Sequence, residues 1–224
     1  HMTQHINRIP SQSESLCHSQ NKCFVAVAGN IGAGKSSLTR LLADHFAWQP
    51  FYEANAENPY LADFYADMQR WSFHSQMFFL GKRLEHHRLL VDHPVSAVQD
   101  RTVYEDAEIF ACNLYRQGKM GERDYETYRS LYRAIASFLP PPDLVIYLKA
   151  STDTLLAHIA RRGRDFEQNI DPAYVEQLNV LYNNWIDDWT ACPVFTVDLD
   201  TRDFIMNTGD LTHIFDGVRG HLPA

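Results

Sequence analysis

An apolar run from Cys23 to Ala28 ends at a glycine, and the spacing Gly29-x-x-x-x-Gly34-Lys35-Ser36 follows immediately. This pattern constrains the chain more than any other part of it. It demands a strand, a tight loop and a helix in succession, because the loop chemistry works only if backbone N–H groups curl around an anion at a helix N-terminus. In such a loop the lysine, here Lys35, reaches the outer phosphates, and the hydroxyl of Ser36 holds a magnesium ion. Residues Gly29, Asn30, Ile31, Gly32, Ala33, Gly34, Lys35, Ser36 and Ser37 are therefore expected to bind a nucleoside triphosphate. A chance match in a chain of this composition is expected in well under about one in a hundred cases.

The chain has 224 residues and a formal net charge of −8. One domain of that size buries about 70% of its unfolded surface. The acidic balance argues against a nucleic-acid polymer as the main partner, since phosphate-backbone binding calls for a basic face. It does not argue against one small phosphate ligand held by a local loop. The sequence offers no apolar run long enough for a membrane and no charged-then-apolar secretory leader, so a cytoplasmic protein is expected. Cys17, Cys23, Cys112 and Cys192 lack CxxC and zinc-finger spacing and read as reduced thiols. Residues 1–22 are polar, rich in Ser, Gln and His, and read as a disordered tail; His1-Met2 resembles a cloning scar. Residues 23–224 read as the single folded domain.

Beyond the loop, β-like and helical segments alternate. Strands are predicted at Gln49 to Glu53, Val95 to Asp100, Leu144 to Leu148 and Val194 to Asp198. Helices are predicted from Lys35 to Phe46, from Asn58-Pro59, from Phe73 to Val91, from Tyr104 to Arg116, from Asp124 to Phe138, from Thr152 to the arginine cluster, from Pro172 to Trp189, and from Leu211 to Val218. On the long helix, Met77, Leu80, Leu84 and Val91 recur at helical spacing. Connections this long exclude hairpins. The fold is therefore read as α/β: a three-layer phosphate-loop NTPase with a five-stranded parallel sheet flanked by helices and a short arginine-rich lid. Ligands in such sheets sit at the carboxyl ends of the strands, which here lead into the Gly29 loop, Glu53, Asp100-Arg101 and Asp198.

Several residues carry candidate chemistry. Glu53, at a strand end, is placed to take the proton of an attacking hydroxyl. Asp100 ends a β run, as a magnesium-holding acid does. Arg101 brings a planar fork suited to a phosphate or a carboxylate. Arg161, Arg162 and Arg164 surround Gly163, a residue that lets a lid turn tightly, and such guanidinium groups stabilise a transferring phosphoryl. Gln76 and Arg83 are seven apart on one helix face, and with Asp106 they form a set able to read a base edge.

Taken together, these motifs closely resemble the deoxynucleoside kinases, the family of deoxycytidine, deoxyguanosine and deoxyadenosine kinases. The matching segments run from Gly29 to Ser36, then Glu53 with Asn58 to Leu61, Arg70 to Gln76, and Phe79 to Arg83. They continue with Asp100 to Asp106, Ile109-Phe110, and Arg162 to Glu167. The resemblance implies an ATP-dependent, magnesium-requiring transfer to the 5′-hydroxyl of a 2′-deoxynucleoside in nucleotide salvage, by a homodimer. By position, Glu53 would be the general base, and Lys35, Arg101, Arg162 and Arg164 would assist transfer. Ser36 and Asp100 would hold magnesium. Tyr65 and Glu167 would bind the 3′-hydroxyl, Gln76 the base edge and Phe110 its face. Arg83 and Asp106 would pair at its far end, and Asp203-Phe204 would lie near the adenine of ATP. The helices from Tyr104 and from Pro172, rich in aromatics, would supply the dimer face.

The chain departs from its relatives at His158, where many carry an arginine, and at Thr102, where serine is usual. A histidine in the lid would make activity sensitive to pH. Family members with an Arg–Asp pair like Arg83 and Asp106 prefer purines or bases with an exocyclic amine. A buried carboxylate needs a donor, and thymine presents an acceptor and a methyl group there. Deoxyadenosine, deoxyguanosine or deoxycytidine is thus expected over thymidine, with a lean to purines. A nucleoside monophosphate kinase of the thymidylate kinase type is the nearest alternative, given Arg70, Lys82, Arg83 and Arg88 on the acceptor side. A non-catalytic nucleotide-binding switch would need a guanine-reading motif after a late strand, and the sequence has none there.

Overall fold

The computed structural model describes residues 22–222. Five strands, β1 (Phe24–Gly29), β2 (Gln49–Phe51), β3 (Ala97–Asp100), β4 (Leu144–Lys149) and β5 (Val194–Asp198), form one sheet in the order β2-β3-β1-β4-β5. Every pairing is parallel, as the long helical connections require. β1, β3 and β4 are rich in Val, Ile, Leu and Ala and are buried along almost their whole length.

The strand order matters for function. β1 lies between β3 and β4, with β2 beyond β3. Val27 is level with Asp100, and Phe51 with Gln99. The ends of β2, β3 and β1 are therefore neighbours at one edge, where the chain leaves for Glu53, Arg101 and the phosphate loop.

The helices are α1 (Lys35–Phe46), α2 (Leu61–Ala66), α3 (Met68–Asp92), α4 (Val103–Glu105), α5 (Cys112–Arg116), α6 (Glu122–Ala136), α7 (Thr152–Arg162), α8 (Pro172–Asp188) and α9 (Thr208–His221). A π-helical stretch, Asp106–Ala111, joins α4 to α5, and Asp165–Glu167 form a single 3₁₀ turn after α7. Side-chain caps set several boundaries. Asp67 accepts from the N–H of Arg70, so α3 begins at Met68 and not at the expected Phe73. Ser151, Asp171 and Asn207 cap α7, α8 and α9 in the same way, which moves the start of α9 from the expected Leu211 to Thr208. Gly163, at φ 67°, ends α7 in the left-handed conformation that glycine permits.

The apolar stripe expected on α3 is only partly its buried face: Leu80 is fully buried and Met77 packs against the core, but Leu84 and Val91 are 46% and 39% exposed. The buried face comprises Ser72, Ser75, Gln76, Phe79, Leu80, Arg83 and Leu90, a mixed set with four polar side chains. Of the expected tail, residues 1–21, with Cys17 and His1-Met2 among them, lie outside the described residues, whereas Lys22 is tied down. Its ammonium donates to the carbonyls of Leu90 and Val91 at 3.1 and 3.0 Å and also to that of His93, closing the C-terminal end of α3. Of the aromatics on the helices expected to supply the dimer face, Tyr174, Tyr182 and Trp185 turn inward and are buried, whereas Tyr115 is exposed.

Candidate active site

The phosphate loop is shaped by its neighbours. Gly32 and Gly34 have φ of 84° and 88°, the left-handed region. A Cβ at Gly32 would also come within 2.8 Å of Ile159 and of the Leu155 carbonyl, so α7 packs directly on the loop. Asn30 is buried; its amide donates to the Val175 carbonyl on α8, and its oxygen accepts from the N–H of Ile31. Lys35 opens α1 and points back, donating to the Asn30 carbonyl at 3.1 Å. Ile31 to Ser37 line a cavity of about 410 Å³, within the range of small-ligand sites. Gly29 and Asn30 lie outside that lining and support it.

Glu53 lines the same cavity as the loop, its side chain only 5% exposed. Arg101 approaches it at 2.6 Å and Arg83 at 3.8 Å, and Asn55 donates to its other oxygen at 3.0 Å. Burial works to raise its pKa, but the charges of Arg101, Lys35 and Arg83 outweigh burial and hold it below the usual carboxylate value. Glu53 is thus ionised at neutral pH. For Lys35, burial and the neighbouring Arg101 bring the ammonium down to about 8, against the pull of Asp100, Glu53 and Glu105.

Arg101 has a backbone φ of 65°, rare for a non-glycine residue. The turn directs its guanidinium to Glu53 and over the ring of Phe110, 4.1 Å from its centroid. One face of Phe110 is therefore covered by Arg101. Gln76 from α3 lines the cavity; it is 4% exposed, and its Oε1 has no protein partner. Asp106 also lines the cavity and accepts from Arg83 Nε at 2.8 Å. Arg83 itself sits behind, tied also to the Asp100 carbonyl. Burial pushes the Asp106 carboxyl up, opposed by Arg83.

The lid comes from the end of α7. Arg162 and Arg164 both reach Glu167, which is 3% exposed: Arg162 through Nε at 3.1 Å and through Nη2, Arg164 at 3.6 Å. Tyr65 from α2 stacks on Phe166 beside Glu167, and burial pushes its hydroxyl well above the usual tyrosine value. His158 Nδ1 lies 2.9 Å from the Gly32 carbonyl, so this nitrogen carries the proton. Arg161 and His158 line the cavity with the two lid arginines. Beyond β5, Asp203 accepts from the N–H groups of Ile205 and Met206 and builds the turn that lays Phe204 against Gly34. Asp198, by contrast, accepts from the N–H of Asp200 and is not part of the lining.

A divalent cation fits at the loop's outer end. Ser36 Oγ donates to Asp100 Oδ2 at 2.6 Å, while the buried Asp100 Oδ1 has no hydrogen-bond partner. Two oxygen donors from a hydroxyl and a carboxylate suit magnesium.

The structure thus brings to one cavity the expected Ile31 to Ser37, Glu53, Tyr65, Gln76, Arg101, Asp106, Phe110, Arg162, Arg164, Glu167, Asp203 and Phe204. It adds Asn55, Phe64, Phe79, Tyr174 and Arg202, which sequence reasoning missed. Asn55 had a local signal, two residues after Glu53. Tyr174 and the two phenylalanines had none, since aromatics that line a cavity follow the same spacing as those that fill a core.

The family model for deoxynucleoside kinase matches residues 25–223. The deoxyadenosine/deoxycytidine kinase of Bacillus subtilis (strain 168) is 36% identical over 203 residues, covering 90% of this chain and 94% of that protein. The deoxyguanosine kinase of the same organism is 35% identical over 200 residues, covering 88% and 96%. The solved structure of deoxyadenosine kinase from M. mycoides with bound dATP superposes with a TM-score of 0.78 at 28% identity, covering 88% of this chain and 99% of that one. On this evidence the chain belongs to the deoxynucleoside kinase family.

Proposed function

We propose that the protein transfers the γ-phosphoryl group of ATP to the 5′-hydroxyl of a 2′-deoxynucleoside, in nucleotide salvage in the cytoplasm. The observation that carries this reading is Glu53, an ionised buried carboxylate that lines one cavity together with the phosphate loop. A carboxylate in that place accepts the proton of a neutral hydroxyl and repels an acceptor that already bears a phosphate.

The roles follow from position. The loop N–H groups and Lys35 hold the donor phosphates. Arg101 fixes the carboxylate of Glu53 toward the acceptor. Arg162 and Arg164 line the same cavity and would stabilise charge developing on the phosphoryl group. Ser36 and Asp100 would hold magnesium, which when bound neutralises phosphate charge. Gln76, Phe110 and the Arg83–Asp106 pair would receive the base, and Tyr65 with Glu167 the 3′-hydroxyl. The Asp106 carboxylate wants a donor, so adenine, guanine or cytosine suits it better than thymine. Asp203 and Phe204 would border the adenine of ATP. A homodimer through α8 and the helical stretch before α6 is part of this proposal; Val180 and Tyr115 remain exposed there.

A coupled ADP-release assay with four deoxynucleosides and their monophosphates tests the reading. Turnover on deoxyadenosine, deoxyguanosine or deoxycytidine above that on thymidine is expected. Preference for any monophosphate would overturn it.

A further inference from the structure

Of the buried carboxylates at the sheet edge, Glu53, Asp100, Asp106 and Glu167 have roles above, and Glu105 has none. It is fully buried. Glu105 is the third residue of α4, and Thr102 is its N-cap, so the two form a capping box. A capping-box glutamate has only to reach the N-cap N–H, which Glu105 Oε2 does at 2.7 Å while also accepting the Thr102 hydroxyl at 3.0 Å. Its other oxygen is turned elsewhere. Oε1 accepts from the N–H of Gly29 at 3.2 Å and from the hydroxyl of Tyr182 on α8 at 2.8 Å.

These partners are donors. The Thr102 hydroxyl accepts from Glu105's own N–H at 3.2 Å, which leaves its proton for Oε2. An ionised carboxylate satisfies all four contacts, and a protonated one would keep them only if a hydroxyl, such as that of Tyr182, turned to accept. Burial pushes the carboxyl up, and the positive charges of Arg101 and Lys35 oppose it. The contacts join three parts of the site: the first glycine of the phosphate loop, the backbone that follows Arg101, and α8. Arg101 holds φ 65° between Asp100 and Thr102, and such a conformation persists only where its surroundings over-determine it. Anchoring the Thr102 N–H does this on one side. On the other, the Arg101 N–H donates to the Val27 carbonyl at 3.0 Å.

We propose that Glu105 is a positioning residue for phosphoryl transfer: one buried carboxylate fastens the base of the phosphate loop to the turn that aims Arg101 at Glu53. It touches neither substrate. The inference rests on the phosphoryl-transfer reading for its kinetic consequence, but not for its effect on donor binding, which needs no acceptor.

Glu105→Gln keeps the size and the Thr102 contacts and turns an amide N–H toward the N–H of Gly29. The expected result is an ATP dissociation constant, read by calorimetry without nucleoside, about tenfold weaker, with turnover down by about tenfold or more. The KM for deoxyadenosine should stay within about twofold, because Gln76 and Asp106 hold that end of the cavity. An unchanged ATP affinity, or equal loss for both substrates, would overturn the proposal, the latter because a general loosening of the fold would produce it. A wild-type enzyme that bound ATP but phosphorylated no nucleoside would defeat the functional reading and leave the ATP test standing. Should the variant fail to fold, amide exchange in the ligand-free wild type decides. Gly29 should exchange as slowly as Val27, and exchange as fast as at Gly34 would overturn the proposal.

Discussion

Glu53 and Lys35 line one cavity and act on each other's charge, and each has a titration that reports its role. Glu53 has its pKa held low by Arg101, Lys35 and Arg83, so it is ready to accept a proton at neutral pH. Replacing it with Gln should lower kcat at least about a hundredfold if it acts as base. A loss under about tenfold in single-turnover rates would reduce it to an orienting group. Lys35 is brought down to about 8 by burial and by Arg101. Its charged form binds phosphate, so kcat/KM for ATP should fall as pH rises through about 8, where the free enzyme loses that proton. Lys35→Arg, protonated throughout this range, should remove that alkaline limb from the pH profile. At this scale the sequence is informative wherever chemistry requires a particular side chain at a fixed spacing, as in Gly34-Lys35-Ser36. It is silent on the left-handed turn at Arg101 and on the buried partners of Glu105, since both arise from contacts distant in the chain.

The elements carry a second lesson, on α3. Its buried face holds Gln76 and Arg83 among serines and a few apolar residues, because that face lines or supports the cavity. A search for an apolar period therefore finds only part of the buried face and places the helix start too late. The cap at Asp67 is the better signal. The π-helical stretch Asp106–Ala111 has no signal that propensity can supply, although such segments often mark functional sites. Arg83 and Asp106 join these two elements at 2.8 Å with both side chains 2% exposed. Arg83→Leu alone leaves a buried carboxylate without its cation and should cost about 3 kcal/mol of stability, measurable by urea unfolding. Arg83→Leu combined with Asp106→Leu should recover much of that loss and raise thymidine turnover relative to deoxyadenosine. A double variant no more stable than the single one would show that the pair is not the source of the loss.

The whole molecule explains why residues scattered from Gly29 to Phe204 form one site. The sequence implies five strands joined by long crossovers, and parallel pairing follows from connection length. The spatial order β2-β3-β1-β4-β5 does not follow from that pattern, and it is this order that puts the ends of β2 and β3 beside the loop after β1. The motif spacings supply what periodicity lacks, since they match a family whose model covers residues 25–223. The central claim is that this convergence moves a phosphoryl group onto a sugar hydroxyl. Identifying the product of ATP and deoxyadenosine by ³¹P NMR tests it most directly. Formation of the 5′-monophosphate is expected, with no product from the analogue that lacks the 5′-hydroxyl. Phosphate release without a nucleotide product, or a product phosphorylated at the 3′ position, would contradict it.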